Sequence, residues 1–336
     1  MERIDTLVIG AGQAGLAVSY YLTRAGREHL ILEKNRVAKA WRDERRDSFA
    51  LVTPNWMLGL PGMEYDGDDP DGFLRGEEVV DYVLRFAQSF DPPVTEGVEV
   101  TSVETAPGSD GLLIRTVKGE YQASNVVVAT GTYQRPRILP LAGRLATEVY
   151  QVHSSEYLNP ERLPAGAVLV VGSGQSGAQI AEELLEHGRD VYLSTGRAGR
   201  GPRRYRGKDA ARWAQLMGSL DRTVDELPSP AHRFTADSHV SGKAGGRTLN
   251  LHRFSRDGMT LLGHMCGADG ARVSFASDLR DNPALPRRTG RRASSSRVST
   301  SSSRGTVWTP RRTTNRSSGT GMRPRSSLSL ISPRPV

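Results

Sequence analysis

Apolar residues along this chain come in short runs, two of which end at glycine-rich turns. Ile4–Ile9 reads Ile-Asp-Thr-Leu-Val-Ile and runs directly into Gly10-Ala11-Gly12-Gln13-Ala14-Gly15. Such a run predicts a strand buried on both faces. Leu16, Val18, Tyr20, Tyr21 and Leu22 then follow a helical period up to Gly26, which predicts a C-cap there. His29–Leu32 predicts a second strand, closed by Glu33. Strand, glycine turn, helix, strand and acid make one βαβ unit.

The arrangement recurs. Ala167–Val171 is apolar throughout and meets Gly172-Ser173-Gly174-Gln175-Ser176-Gly177; Ile180, Leu184 and Leu185 lead to Gly188, and Val191–Leu193 predicts the next strand. Gly10 and Gly172 are 162 residues apart, too far for a solenoid repeat and suited to two domains. Between the units, Val79, Val80, Val83, Leu84 and Phe86 predict a helix over Gly76–Phe90. Strands are predicted at Val98–Val103, Leu112–Val117 and Tyr121–Val128, the last running into Ala129-Thr130-Gly131. An Arg-rich loop, Arg197–Arg206, precedes a helix predicted around Ala210–Met217, and 218–275 shows no clear period.

Charge divides the chain. The whole carries +8, with 45 basic and 37 acidic residues, but no acid follows Asp281. Pro286–Val336 holds 12 Arg and no Lys, which leaves a net charge of −4 on the part before it. The basic character therefore belongs to a tail, and a nucleic-acid argument from the whole-chain charge fails. Ser, Arg, Thr and Pro dominate that tail, and it lacks a period until a short run near Leu328. Too little apolar surface is available there to offset a backbone ordering cost of roughly 1–2 kcal/mol per residue, so disorder is expected. Two readings of the tail stay open: a basic segment for anionic partners, or an out-of-frame read of a GC-rich gene. The single cysteine, Cys266, excludes a disulfide scaffold, a cysteine zinc site and a dithiol pair within this chain. No apolar run approaches the ~18 residues of a membrane span. The expected location is the cytoplasm, with no membrane partner.

The glycine spacing carries chemistry. The first glycine permits the tight turn, the second lets backbone approach a pyrophosphate, and the third lets helix and strand pack closely. The helix start then offers free N–H groups and a positive dipole end to the anion. Glu33, with Lys34 beside it, stands where a carboxylate can bind ribose hydroxyls. The second unit has Ser194-Thr195-Gly196-Arg197 at that place, with no acid to repel a 2′-phosphate and with hydroxyls and Arg197 to bind one. Arg200, Arg203 and Arg204 are weaker candidates. Two unlike dinucleotide sites imply hydride transfer between two cofactors, FAD at the first and NADPH at the second.

On these motifs the chain resembles the flavin-containing monooxygenase family of two-dinucleotide-domain flavoproteins over roughly residues 4–285. Trp41-Arg42, Thr53-Pro54-Asn55-Trp56, Leu60-Pro61-Gly62 and Ala129-Thr130-Gly131 add to the likeness, as do His153 and Tyr157, which match the H-x-x-x-Y end of a family fingerprint. Thr147 and Val149 replace its Phe and Gly. The resemblance implies an α/β fold of two Rossmann-like three-layer domains, the second inserted in the first, followed by a disordered tail. The expected bounds are 1–145 for FAD, 146–275 for NADPH, 276–285 for the start of a return to the first domain, and 286–336 for the tail. It implies catalytic roles for Asn55 and His153, with Trp41 and Asn55 near the flavin and Thr130 and Gly131 at the cofactor. It also implies oxygenation of a small N or S nucleophile through a C4a-peroxyflavin, with a small-molecule substrate and O2 as partners and no metal. A flavin reductase or oxidase without oxygenation, and a nucleotide-binding remnant, stay open as alternatives.

Overall fold

The computed structural model describes residues 2–108, 110–196, 201–234, 238–279, 306–308 and 329–332, the last two segments as backbone. The chain divides into two compact units, Met1–Arg135 and Pro136–Val336.

In the first unit, β1 (Glu2–Ile9) leads through α1 (Gln13–Arg24) to β2 (His29–Glu33). A short helix α2 (Lys39–Asp43), a hairpin of β3 (Gly59–Leu60) and β4 (Met63–Glu64), and α3 (Gly76–Gln88) follow. The unit closes with β5 (Val94–Glu96), β6 (Val100–Thr105), β7 (Leu112–Thr116) and β8 (Gly119–Val128). The sheet order is β5-β2-β1-β8-β7-β6, with β5, β2, β1 and β8 parallel. Alternate residues of the central strands bury on opposite faces, as the period of two requires. Val8 and Ile31 pack with Leu16, Val83 and Phe86 on the helical side. Leu7, Ile9 and Leu32 pack with Ile114 and Ala123 on the other. Both faces being covered, the strands read as continuous apolar runs. α1 ends as its sequence predicts: Gly26 adopts φ +64°, and Arg27 N–H donates to Leu22 O. The strand β5 carries only one apolar residue and escaped the sequence reading.

The second unit repeats the plan. β9 (Tyr150–His153) precedes β10 (Val168–Val171), α4 (Gln175–Glu186) and β11 (Val191–Ser194). Two small hairpins, β12 (Arg204–Tyr205) with β13 (Lys208–Asp209) and β14 (Val240–Ser241) with β15 (Arg247–Thr248), flank α5 (Ala210–Leu216). Then come α6 (Leu251–Arg256), β16 (Thr260–Leu262), β17 (Met265–Asp269), β18 (Arg272–Phe275), β19 (Thr306–Trp308) and β20 (Ser329–Ser332). The parallel sheet runs β16-β11-β10-β20-β9, beside a meander β17-β18-β19. Val168, Val170, Val191 and Leu193 pack against Ile180 and Leu184 of α4 and Phe254 of α6. Leu169 and Val171 pack against Met265, Val273 and Phe275 of the meander.

Two segments of the expected tail take part in this fold. Thr306–Trp308 pairs antiparallel with β18, and Ser329–Ser332 lies parallel between β10 and β9, with Leu330 opposite Leu169 and Gln151. The slot between two parallel strands offers backbone groups on both sides, and the short apolar run near Leu328 is the tail segment suited to it. The rest of 286–336 lies outside the described residues, and with it the remainder of the disorder expectation. Ala276 N–H donates to His264 O and His264 N–H to Asp278 Oδ1, so the chain just after β18 is bound beside β17.

Candidate functional site

The first glycine turn is held by the strand ends beside it. Gly10 adopts φ +105° and donates to Leu32 O at 2.8 Å. A Cβ at Gly10 would stand 2.7 Å from Ala129 O, so the backbone of Ala129-Thr130 passes close against the turn. A Cβ at Gly15 would stand 1.9 Å from Gly10 O, which makes this the close-packing glycine. At Gly12, by contrast, a Cβ would meet nothing within 4 Å. Gly12 is the N-cap of α1 and supplies no side-chain acceptor, so no side chain caps the first-turn N–H groups, and the side of Gly12 where a Cβ would stand is open. Gln13 and Ala14 are exposed there.

Glu33 is tied into the turn. Its Oε2 accepts from Ala11 N–H and its Oε1 from Asn35 N–H, both at 2.8 Å. Ala11 O in turn accepts from Ala38 N–H at 3.2 Å, which fixes the start of α2. Trp41 of α2 packs on Phe49 at 5.9 Å between centroids, with Arg45 over its ring at 4.7 Å. Lys34 points elsewhere and forms an exposed pair with Glu99 at 3.4 Å. Thr130 and Gly131 are exposed, and Gly131 has φ +79°.

The second turn has the same geometry with different side chains. Gly172 adopts φ +99° and donates to Ser194 O at 2.9 Å; a Cβ at Gly177 would stand 2.0 Å from Gly172 O, and one at Gly174 would meet nothing within 4 Å. Gly174 caps α4 without a side-chain bond. Ser173 is buried, and its Oγ accepts from Gly196 N–H at 3.1 Å. Gln175 turns away from the open face. Its Nε2 donates to Val240 O and its Oε1 accepts from Val240 N–H, while Gln179 Nε2 also reaches Val240 O at 3.3 Å. Ser176 is half-buried on the first turn of α4.

Several residues singled out from sequence hold the backbone instead. Asn55 was expected at the flavin as a catalytic group. It is buried, its Nδ2 donates to Asp69 O at 2.9 Å and its Oδ1 accepts from Leu74 N–H at 2.8 Å, so it braces the 55–74 loop. His153, also expected to be catalytic, is buried at the end of β9, with Nδ1 2.7 Å from Ser155 Oγ. Tyr157 is buried too and donates to Glu183. Ser194 Oγ donates to Gly263 O and accepts from Met265 N–H, and Thr195 Oγ1 donates to Leu262 O. Those hydroxyls tie the end of β11 and the residue after it to the backbone of Leu262, Gly263 and Met265. Arg203 is 2% exposed and bonds Asp209 at 2.7 Å; burial lowers its pKa. Arg204 is exposed and donates to Gly245 O. Arg197 and Arg200 lie outside the described residues. Sequence reasoning missed Ala38 and Val240, which act through backbone atoms and so carry no side-chain signal. Among the described residues, no cluster of three His, Cys, Asp or Glu could hold a metal, and no helix is long and apolar enough to cross a membrane.

The pyridine nucleotide-disulphide oxidoreductase family matches residues 7–212. An uncharacterized CzcO-like oxidoreductase of Geobacillus kaustophilus is 46% identical over 220 residues, 65% of this chain and 62% of that protein. Indole-3-pyruvate monooxygenase YUCCA1 of Oryza sativa is 30% identical over 196 residues, 56% of this chain and 48% of that one. The chain thus spans less than two thirds of the length of these relatives. A flavin-containing monooxygenase of Stenotrophomonas maltophilia has the same fold, with a TM-score of 0.56 at 22% identity over 84% of this chain and 82% of its own. The flavin-containing monooxygenase-like resemblance expected from the motifs is borne out, and the chain belongs to the pyridine nucleotide-disulphide oxidoreductase family.

Proposed function

We propose that this protein is a flavin-dependent oxidoreductase that holds FAD at the Gly10–Gly15 turn and NADPH at the Gly172–Gly177 turn, and that it oxygenates a small N or S nucleophile. One observation carries the reading: both helix starts are uncapped, and both middle glycines face open space. The donor set fits a diphosphate, since first-turn N–H groups and the dipole end attract anions. Glu33 fits a ribose beside the first turn, its carboxylate already oriented by Ala11 and Asn35. The second turn has no carboxylate at that position, which suits a phosphorylated ribose. Bound FAD would supply hydride acceptance from NADPH and the reaction of reduced flavin with O2. The part of this chain is to bind, orient and align. Ala38, joined to Ala11, holds Trp41 in place relative to the first turn, and Gly10 keeps Ala129-Thr130 against it.

The relatives divide in what their names state: YUCCA1 is a monooxygenase, and a bacillithiol disulfide reductase of Staphylococcus aureus shares the fold at a TM-score of 0.57 and 15% identity. An intrachain dithiol–disulfide mechanism needs a thiol pair, and this chain has one cysteine, Cys266. A flavin reductase without oxygenation is the second reading, favoured by the bracing roles of Asn55 and His153. Purified protein should carry flavin absorbance and oxidise NADPH faster than NADH. Substrate-dependent O2 uptake then selects oxygenation over simple reduction. Protein that takes up no FAD when supplied with it would overturn the proposal.

A further inference from the structure

The two glycine turns can be aligned atom by atom. Gly10 donates to Leu32 O and Gly172 to Ser194 O, so Leu32 corresponds to Ser194, Glu33 to Thr195 and Lys34 to Gly196, while Ala11 corresponds to Ser173. In the first turn the link between strand end and glycine loop runs backwards, from the Glu33 carboxylate to the Ala11 N–H. In the second it runs forwards, from the Ser173 hydroxyl to Gly196, whose N–H it accepts at 3.1 Å and whose O lies 3.4 Å away. Thr195 cannot take the place of Glu33, because its hydroxyl is turned to Leu262 O on the β16 side. A Cβ at Gly196 would meet nothing within 4 Å. Ser173, at 2% exposure, thus holds the backbone that leaves β11, and among the described residues no atom crowds the place a Cβ at Gly196 would take.

We infer that Ser173 is the positioning residue for coenzyme selection at the second turn, acting through Gly196, and that Ser173 with Thr195 is the uncharged counterpart of the Ala11–Glu33 pair. This rests on the reading of the second turn as the NADPH site. The physical reason is electrostatic. A carboxylate at the end of the strand accepts from a ribose diol but repels a 2′-phosphate, whereas a hydroxyl latch does the same backbone work without charge. The Ser173 bond is neutral, so its loss is worth a modest factor; a carboxylate placed near a phosphate costs more.

Calorimetric titration of the full chain with NADP+ and with NAD+ tests this. Wild type should bind NADP+ more tightly. Ser173→Ala should lower the NADP+-to-NAD+ affinity ratio by about 2- to 10-fold, and Ser173→Thr should restore it. Flavin content and the far-UV spectrum should be unchanged in each. If Ser173→Ala fails to fold, Ser173→Cys, which keeps a weaker hydrogen-bonding group at the same place, asks the same question and should lower the ratio by a smaller factor. A wild type that prefers NADP+ while the variants keep its ratio overturns the Ser173 inference alone. A wild type that prefers NAD+, or binds neither, overturns the NADPH reading and this inference with it.

Discussion

Glu33 Oε2 accepts the backbone N–H of Ala11 at 2.8 Å, across 22 residues of sequence, and this bond joins the end of β2 to the interior of the first glycine turn. Hydrogen bonds to a charged group are worth about 1.5–3 kcal/mol each. Glu33→Ala removes this one and the bond to Asn35 N–H. The expected outcome is at least about tenfold weaker FAD binding, with a lower melting temperature of the apoprotein. Glu33→Gln, which keeps an acceptor oxygen, should lose less of both. Flavin absorbance against protein absorbance, with thermal melts, checks the pair; equal FAD affinity in all three proteins contradicts the role.

The glycines of one turn should fail in different ways. Gly12 sits in extended backbone with φ −81° and has room for a Cβ, whereas a Cβ at Gly15 would stand 1.9 Å from Gly10 O. Gly12→Ala is expected to fold with a stability within about 1 kcal/mol of wild type and to lose FAD, because the methyl group occupies the approach to the diphosphate. Gly15→Ala should lose the fold of the first unit. The same split is expected between Gly174→Ala and Gly177→Ala for NADP+. Circular dichroism and ligand titration separate loss of fold from loss of site.

What could be read before any coordinates follows from which atoms do the work. The two βαβ units were legible because their strands are buried on both faces and their turns require glycine at fixed steps, both of which leave marks in residue type. Side-chain allocation was not. Ser194 and Thr195 look the same in sequence whether their hydroxyls meet a phosphate or, as here, the backbone of Gly263 and Leu262. Arg203 looks like a free cation until Asp209, six positions on, is found against it. The stretch 218–275 was opaque because its strands run from two to five residues, too short to establish a period.

Gln175 offers a test of that allocation. It heads α4 beside the glycines, yet its amide is bound to both backbone groups of Val240. Gln175→Ala should therefore act on stability, by about 1 kcal/mol for the half-buried Val240 groups left without it, more than on coenzyme binding. Urea denaturation and NADP+ titration on the same preparations read both quantities. A tenfold loss of affinity at unchanged stability would return Gln175 to the binding surface.

His239, next to Val240, gives the second unit a pH dependence. Burial alone holds its pKa below the ordinary 6.5. The folded state therefore binds fewer protons than the unfolded state, and stability falls with falling pH. This contribution is complete above the unfolded value of 6.5 and is lost as the pH drops through the depressed folded value. His239→Gln should flatten the stability profile of the second unit between pH 7 and pH 5. Parallel profiles for wild type and variant would exclude His239 as the titrating group.

The strand Ser329–Ser332 sits at an interior position, with parallel partners on both sides. An interior strand uses its N–H groups in the ladder, and proline supplies none, at a cost of about 3 kcal/mol or more in regular structure. Leu330→Pro and Ile331→Pro each remove an N–H that bonds to one or the other flanking strand, and each should destabilise the second unit by about that amount. Deletion of residues 286–336 should go further, because it strips the facing edges of both β10 and β9 and exposes unpaired strands that invite association with other chains. The first unit, whose sheet contains none of these residues, should keep its FAD affinity in all three variants. Denaturant curves followed by NADP+ binding and by bound flavin distinguish the two units, and size-exclusion chromatography detects association. If truncation leaves both transitions where they were and the protein monodisperse, the tail strand contributes nothing to the sheet, and β10 and β9 are stable without it.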